Sequence, residues 1–486
     1  MLQTTVDDCG RGQPLADSES GDRTMPKDLR QFINLLKEQY PEDIVEVSRP
    51  VGPHRFEVTA ILEQLDKAKR YPVVHFKSPQ NLLDEKSQFT LVSNVFGTRE
   101  RCATALSFPR EQAQMPLNLE FARRQPLQVK ALTISAKEAP IKANVKLGES
   151  VDLRQLPIVR HFHMDISPVL TMACIMKDPD EGFYDITFAK TYYQGPRKLG
   201  TSIHTPHLAG IIAKYEARGQ RAPIIIVLGH HPAFFLGAVA LTPSGTNDYD
   251  AVGGYLDEPL RLVPSETWGE DFLVPADAEI IIEGEIIPEE RVIVDPFGEV
   301  SRQYHAQCLR PPMEVTALTY RDNAIMQDIF SGHQEHWLLG AIPQEGRVCN
   351  ALNNKFGGIK SLHLPNSGCG RITAYVSIGK TAGGSAKAIG MEVLTQVGTM
   401  QWVVVVDEEI DPFDESDVMW AVMTQTNPSN DITQIQNART AFITAAGDMK
   451  VVIDATRPLD IAFPTKIKVP EDVVARMKLE EWIDGE

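Results

Sequence analysis

Between Ile141 and Ile287 the chain breaks into short apolar runs separated by Pro, Gly, Asn and Asp turns, and no other feature constrains its fold as tightly. Ile141–Val145, Val169–Met176, Asp185–Lys190, Ile224–Leu228, Phe235–Val239 and Glu279–Ile287 read as strands, with one helix around His207–Tyr215. Many short strands at irregular spacing predict a barrel or split barrel. On either side, helix and strand alternate as in α/β units. Upstream, Leu29, Phe32, Ile33 and Leu36 repeat at helical spacing, Ile44–Val47 reads as a strand, Ile61, Leu62, Leu65 and Ala68 give a second helix, and Pro72–Phe76 a second strand. Downstream, Arg371–Ile378, Trp402–Val406 and Lys450–Asp454 read as buried strands, with helices over Ser385–Leu394 and Asp417–Thr424. Ser416 or Asp417 is the expected cap of the last helix. At 486 residues a single core is not expected. The fold class is α/β (α+β): a disordered extension over 1–24, an α/β domain over 25–125, a central barrel over 126–322 and a second α/β domain over 323–486.

A formal charge of −17 argues against a nucleic-acid partner, which needs a basic face. Six cysteines lie far apart without C-x-x-C spacing, which suits free thiols in a reducing cytoplasm. No apolar run approaches the ~20 residues that span a bilayer. The acidic first two dozen residues lack the apolar core of a signal peptide, so a cytoplasmic protein with no membrane partner is expected.

Two residue sets carry chemistry. In Asp295-Pro296-Phe297-Gly298-Glu299 a glycine two residues after a proline allows a sharp bend that presents Glu299 on a short, stiff loop, as an acid/base group requires. Alone, the segment reads better as a surface turn with a solvated glutamate. Asp185, His207 and Glu266 form a mixed oxygen and nitrogen set that suits Mn²⁺ or Mg²⁺. Their separation makes no local metal motif, and on spacing alone an imidazole beside the helix start at Pro206 is the stronger reading of His207.

Many phrases, in order from about Pro26 to Arg457, resemble the UbiD family of prenylated-FMN-dependent decarboxylases. Asp28-Leu29-Arg30-Gln31-Phe32-Ile33 looks like its opening helix; Thr205-Pro206-His207 and Ser265-Glu266-Thr267 match its two metal-ligand segments; Pro296-Phe297-Gly298-Glu299 is similar to its catalytic loop. Glu335-His336-Trp337-Leu338-Leu339-Gly340, Gly384-Ser385-Ala386-Lys387 and Asp454-Ala455-Thr456-Arg457 match later landmarks. The resemblance implies a central split barrel of flavin-reductase type and a C-terminal domain used in homo-oligomerisation, as a dimer or hexamer. It implies prenylated FMN made by a flavin prenyltransferase, its phosphate held through Mn²⁺ (or Mg²⁺) by Asp185, His207 and Glu266 with K⁺ nearby. Thr187, Phe188, Ala189 and Lys190 would flank the cofactor. The implied reaction is reversible decarboxylation of an aromatic or α,β-unsaturated carboxylic acid through a covalent cofactor–substrate adduct, with Glu299 as proton donor.

The chain departs from the family pattern at two positions. Lys190 stands where an arginine is expected, keeping the charge but losing the planar fork. Val294 stands at the first acid of the loop, and Asp295 beside it would point the opposite way in an extended segment. Arg302 is a candidate replacement clamp for substrate carboxylate, and His336 a candidate substrate contact. The departures imply either an unusual substrate, such as a bulkier aryl acid or an acyl thioester, or a weakly active flavin-binding partner subunit. A metal-dependent hydrolase is a more distant alternative.

Overall fold

The computed structural model describes residues 26–380, 382–440, 447–459 and 461–482; the extension expected over 1–24 lies outside them. The opening helix, Leu29–Gln39, buries Leu29, Phe32, Ile33 and Leu36, and the Asp28 carboxylate caps it by accepting from the Gln31 amide (2.8 Å). It packs with the helix Glu57–Lys67 on a four-stranded sheet. The strand order there is Ile44–Val47, Val73–Phe76, Thr90–Ser93 and Ile325–Gln327. The last of these was expected to begin the third domain. It instead returns to pair in parallel with Thr90–Ser93, so the N-terminal unit is built from two separate chain segments.

Among the described residues the central sheet has nine strands. Its path runs Val169–Leu170, Lys190–Gly195, Lys198–Ser202, Pro312–Tyr320, Ile280–Ile286, Ala222–Val227, Ala173–Lys177 and Tyr184–Phe188, with Asn144–Leu147 on Pro312–Tyr320. Every pairing is antiparallel. Leu170 and Ala173 lie on strands at or next to opposite ends of this path, as do Lys190 and Phe188, yet each pair is joined by at most three residues of chain. A link that short reaches roughly 11 Å at most, so the sheet must curl until its ends meet. Among the described residues the two end strands are not paired with each other, and the Ala189 amide bridges to the Met172 carbonyl (3.3 Å) just beyond them, which leaves the barrel split beside Lys190.

Three expected boundaries shift. Phe235–Val239 is not a strand: Pro232–Ala238 is a helix with proline in its first turn, and the His231 ring caps it by accepting from the Ala233 amide (3.2 Å). All seven of its residues are buried, and a short, wholly apolar run carries no period by which to tell helix from strand. Ile141 lies in a 3₁₀ turn, Pro140–Ala143, and the strand starts at Asn144. The cap of the helix Glu415–Gln425 is Asp414, which accepts from the amides of Ser416 and Asp417.

The C-terminal sheet is ordered Ile359–His363, Thr373–Ile378, Trp402–Asp407, Met449–Ala455 and Ile432–Gln436. The N-terminal and central units share one continuous apolar core, whereas this sheet builds its own. A 22-residue helix, Gln334–Lys355, joins them. Its Gly346 lies so close to the helix Met115–Arg124 that a Cβ there would stand 1.8 Å from the Asn118 carbonyl oxygen. Among the described residues no helix is long and apolar enough to cross a membrane.

Candidate active site

The loop after the strand Val292–Val294 is pinned from three sides. Ser331 Oγ donates to the Gly298 carbonyl (2.8 Å), the Glu299 amide donates to Gln303 O (2.8 Å), and Trp337 Nε1 donates to Val300 O (2.8 Å). Gly298 is required for space, not for an unusual backbone angle: a Cβ would meet the Phe162 ring at 2.3 Å. The bend expected from it comes instead from left-handed conformations at Asp295 and Arg302.

Held this way, the Glu299 carboxylate forms an ion pair with Lys190 Nζ, contributed by the first residue of a barrel strand. Both are largely enclosed, with side chains 13 % and 15 % exposed. Lys190 Nζ also sits 5.3 Å from the centre of the fully buried Phe297 ring. Burial pushes Lys190 down to about 8, against the opposing pull of Asp295 and Asp165.

Asp295 is therefore part of the site. Its positive φ breaks the extended alternation that was expected to turn it away. It is fully buried, and Tyr192 Oη donates to Oδ1 at 2.5 Å. Val294, by contrast, packs with Val169, Tyr192 and Phe297 and faces Gly200, where a Cβ would lie 2.7 Å from its Cγ1. On the solvent side His305 Nε2 lies 3.4 Å from Glu299 Oε1, and its ring meets that of His204 edge to face. Burial, followed by nearby cations, pushes His204 down to about 4 and also lowers His305. None of Tyr192, His204 and His305 carried a sequence signal of its own; His204 was at most hinted at by its place two residues before Pro206.

Arg302 does not reach this pair. Its Nη2 contacts Asp66 Oδ2 (3.1 Å), its Nε donates to Gly332 O (2.9 Å) and its guanidinium stacks on Trp337, so the expected replacement clamp is engaged elsewhere. His333 and His336 diverge. His333 turns to Glu63 (2.9 Å), while His336 Nδ1 accepts from the Gly332 amide (3.2 Å) beneath the Glu299 loop.

The second residue set lies at the start of the helix Pro206–Glu216. His207 Nδ1 contacts Asp185 Oδ2 at 3.0 Å, whereas Glu266 is paired with Lys142 Nζ at 2.8 Å. Among the described residues these three do not converge: the one set of three whose ligating atoms lie within 4.8 Å of one another is Glu63, Asp66 and His333. The surroundings of Asp185 still fit a cation. Asp248 is buried beside it and is pushed up to about 7, chiefly by burial and further by Asp185; Thr205 Oγ1 is buried without a partner. Two crowded carboxylates, an imidazole and a hydroxyl without a partner among the described residues make an oxygen-rich set with one nitrogen, suited to Mn²⁺ or Mg²⁺. Thr187, Phe188 and Ala189 connect this pocket to Lys190 along the strand Tyr184–Phe188 and the residue after it.

Family models of the 3-octaprenyl-4-hydroxybenzoate carboxy-lyase (UbiD) match in three parts: the N-terminal domain over residues 35–114, the Rift-related domain over 133–334 and the C-terminal domain over 337–455. Among solved structures, the UbiD-class enzyme HmfF from Pelotomaculum thermopropionicum, in complex with FMN, is 31% identical over 94% of this chain and 100% of its own, with a TM-score of 0.86. An evolved dimeric form of that enzyme in complex with prFMN gives 0.84 at the same identity and coverage. The vanillic acid decarboxylase of Sedimentibacter hydroxybenzoicus in open form is 25% identical over 94% of this chain and 98% of its own, with a TM-score of 0.81.

Proposed function

The chain belongs to the UbiD family of carboxy-lyases, and from that premise we propose that it is a prenylated-FMN-dependent, reversible decarboxylase of an aromatic or α,β-unsaturated carboxylic acid. The observation that carries this reading is the enclosed Lys190–Glu299 pair on a pinned loop, with one imidazole between it and solvent. The residues at Asp185, His207 and Glu266 would hold Mn²⁺ (or Mg²⁺) and through it the flavin phosphate, with K⁺ nearby; this requires Glu266 to exchange Lys142 for the metal. When bound, the prenylated flavin supplies the electron sink for the pair released as carbon dioxide leaves.

The chain's own residues handle charge and protons. At rest Lys190 pairs with the Glu299 side chain. A substrate carboxylate entering the enclosure competes for the lysine, and the released Glu299, now beside a second anion in a desolvated site, takes up a proton. His305 links Glu299 to solvent and is the path for that proton. After carbon dioxide departs, Glu299 delivers the proton to the substrate carbon and re-pairs with Lys190. The net change is RCOO⁻ + H⁺ → RH + CO₂, with charge balanced throughout. Phe297, Phe162 and Phe330 supply the dry wall that makes these exchanges decisive.

Met419, Trp420 and Met423 are exposed on the helix Glu415–Gln425, which supports homo-oligomerisation through the C-terminal domain. The reading is tested by producing the protein together with a flavin prenyltransferase and recording its visible spectrum and intact cofactor mass. Uptake of prenylated flavin is expected; protein that remains colourless under those conditions refutes the reading.

A further inference from the structure

Asp165 is a fully buried carboxylate that faces the loop carrying Glu299. It closes the turn 162–165, where its own amide donates to the Phe162 carbonyl oxygen (3.0 Å). Its Oδ2 accepts from the amides of His161 (3.0 Å) and Phe162 (2.7 Å). Its Oδ1 accepts from the amide of Gly298 (3.4 Å), the residue directly before Glu299. The next residue reinforces the join, since the Ile166 amide donates to Pro296 O (3.2 Å). The Phe162 ring fills the space that a side chain at Gly298 would need. One carboxylate, one amide and one ring thus lock the two segments together.

A buried carboxylate that serves three N–H donors is favoured in its ionised form. Burial raises Asp165, and His161 and the three amides oppose the rise. That His161 ring is itself paired with Asp328 (3.1 Å). Three carboxylates act on Lys190: Glu299 pairs with Nζ, and Asp295, itself bonded by Tyr192, and Asp165 both pull the lysine up against burial. Three imidazoles face the same lysine, His204 beyond the strand Lys198–Ser202, His305 from the loop and His336 from the helix Gln334–Lys355. Burial is the chief cause that lowers each of them, so they add no charge opposite Lys190 at neutral pH.

Resting on the decarboxylase reading above, we infer that Asp165 is a positioning residue for proton delivery: it fixes the Glu299 loop through the Gly298 amide and sets a negative charge opposite Lys190. It acts through these two groups and not on the reacting atoms. Both effects require a carboxylate. Asparagine can keep its oxygen on the amides of His161 and Phe162, but its NH₂ then meets the Gly298 amide, donor against donor, and the charge is lost.

Two readouts on Asp165→Asn, produced with flavin prenyltransferase, separate positioning from plain support of the fold. The first needs no catalysis: trace acetic anhydride labels Lys190 from about pH 6 to 11, and the labelled peptide is quantified by mass spectrometry. Only the neutral amine reacts, so the profile gives the lysine's midpoint, expected at about 8 in the native protein. With one anion removed, the midpoint should fall to about 7.5 or below. A variant that is merely loosened exposes Lys190 and moves the midpoint up toward the ordinary 10.5, so the two cases differ in sign. The second readout is α-carbon deuterium exchange, whose turnover should fall at least about tenfold while the flavin stays bound by mass. Asp165→Ser, which keeps a hydroxyl acceptor without the charge, replaces the asparagine form if that does not fold. A midpoint that stays or rises, exchange at the native rate, or failure of both variants to fold overturns the inference. Native protein that binds flavin but exchanges no deuterium counts against the decarboxylase reading instead, and the labelling profile is read apart from it.

Discussion

Lys190→Arg should abolish an alkaline limb that the native lysine imposes on activity. Burial at the barrel seam brings Lys190 from its ordinary 10.5 to about 8. About nine-tenths of it is charged at pH 7 and about one-tenth at pH 9. If the charge receives the substrate carboxylate, kcat/KM falls about tenfold over those two units, with a slope approaching one decade per unit beyond. An arginine stays charged throughout, so Lys190→Arg should change less than about twofold over the same range, whatever its absolute rate. The assay is kcat/KM from pH 6 to 10 on flavin-loaded enzyme, read as carbon dioxide release or α-carbon deuterium exchange. Stability moves in the opposite sense. A base whose folded value lies below its unfolded one leaves the folded state with fewer protons between about pH 8 and 10.5, so stability rises with pH across that window in the native protein. A limb at pH 10 or above, or one unchanged in Lys190→Arg, would refute the role given to Lys190.

Two further substitutions probe the scaffold and the metal pocket. Burial opposes ionisation of Glu345, but Arg99 and His363 outweigh it and hold the carboxyl at about 2. Its folded value is thus below the ordinary 4.5, and the resulting stability is present above about pH 4.5 and lost as pH falls through about 2. Glu345→Gln should cost about 3 kcal/mol at pH 7 in urea unfolding, a loss that shrinks in acid; an unchanged midpoint counts against the Arg99–Glu345–His363 junction. His207→Ala should weaken Mn²⁺ binding at least about tenfold and lower flavin retention in parallel; full metal and flavin content would remove His207 from the ligand set.

The architecture was legible where periodicity was long and clean. The opening helix, the strand around Ile224–Leu228 and the last three parallel strands lie within a residue or two of where their patterns put them. Pro232–Ala238 was misread because a fully buried segment shows no polar face. The strand Ile325–Gln327 was assigned to the wrong unit because pairing partners more than 200 residues apart leave no local trace. At the site, Glu299 and Lys190 were singled out through the order of short phrases, and the structure brings the two side chains into an ion pair. Asp295 was dismissed on an assumption of extended backbone that a left-handed φ overturns.

The most direct test of the central claim is α-carbon deuterium exchange by flavin-loaded Glu299→Gln. Glutamine keeps the shape of the side chain and its contact with the loop but cannot cycle a proton. The prenylated flavin should remain bound, by visible spectrum and mass, while exchange falls at least about a thousandfold, within the combined reach of general-acid catalysis and enforced positioning. Exchange at the native rate in a variant that retains its flavin would show that the proton comes from elsewhere and would contradict the role assigned to Glu299.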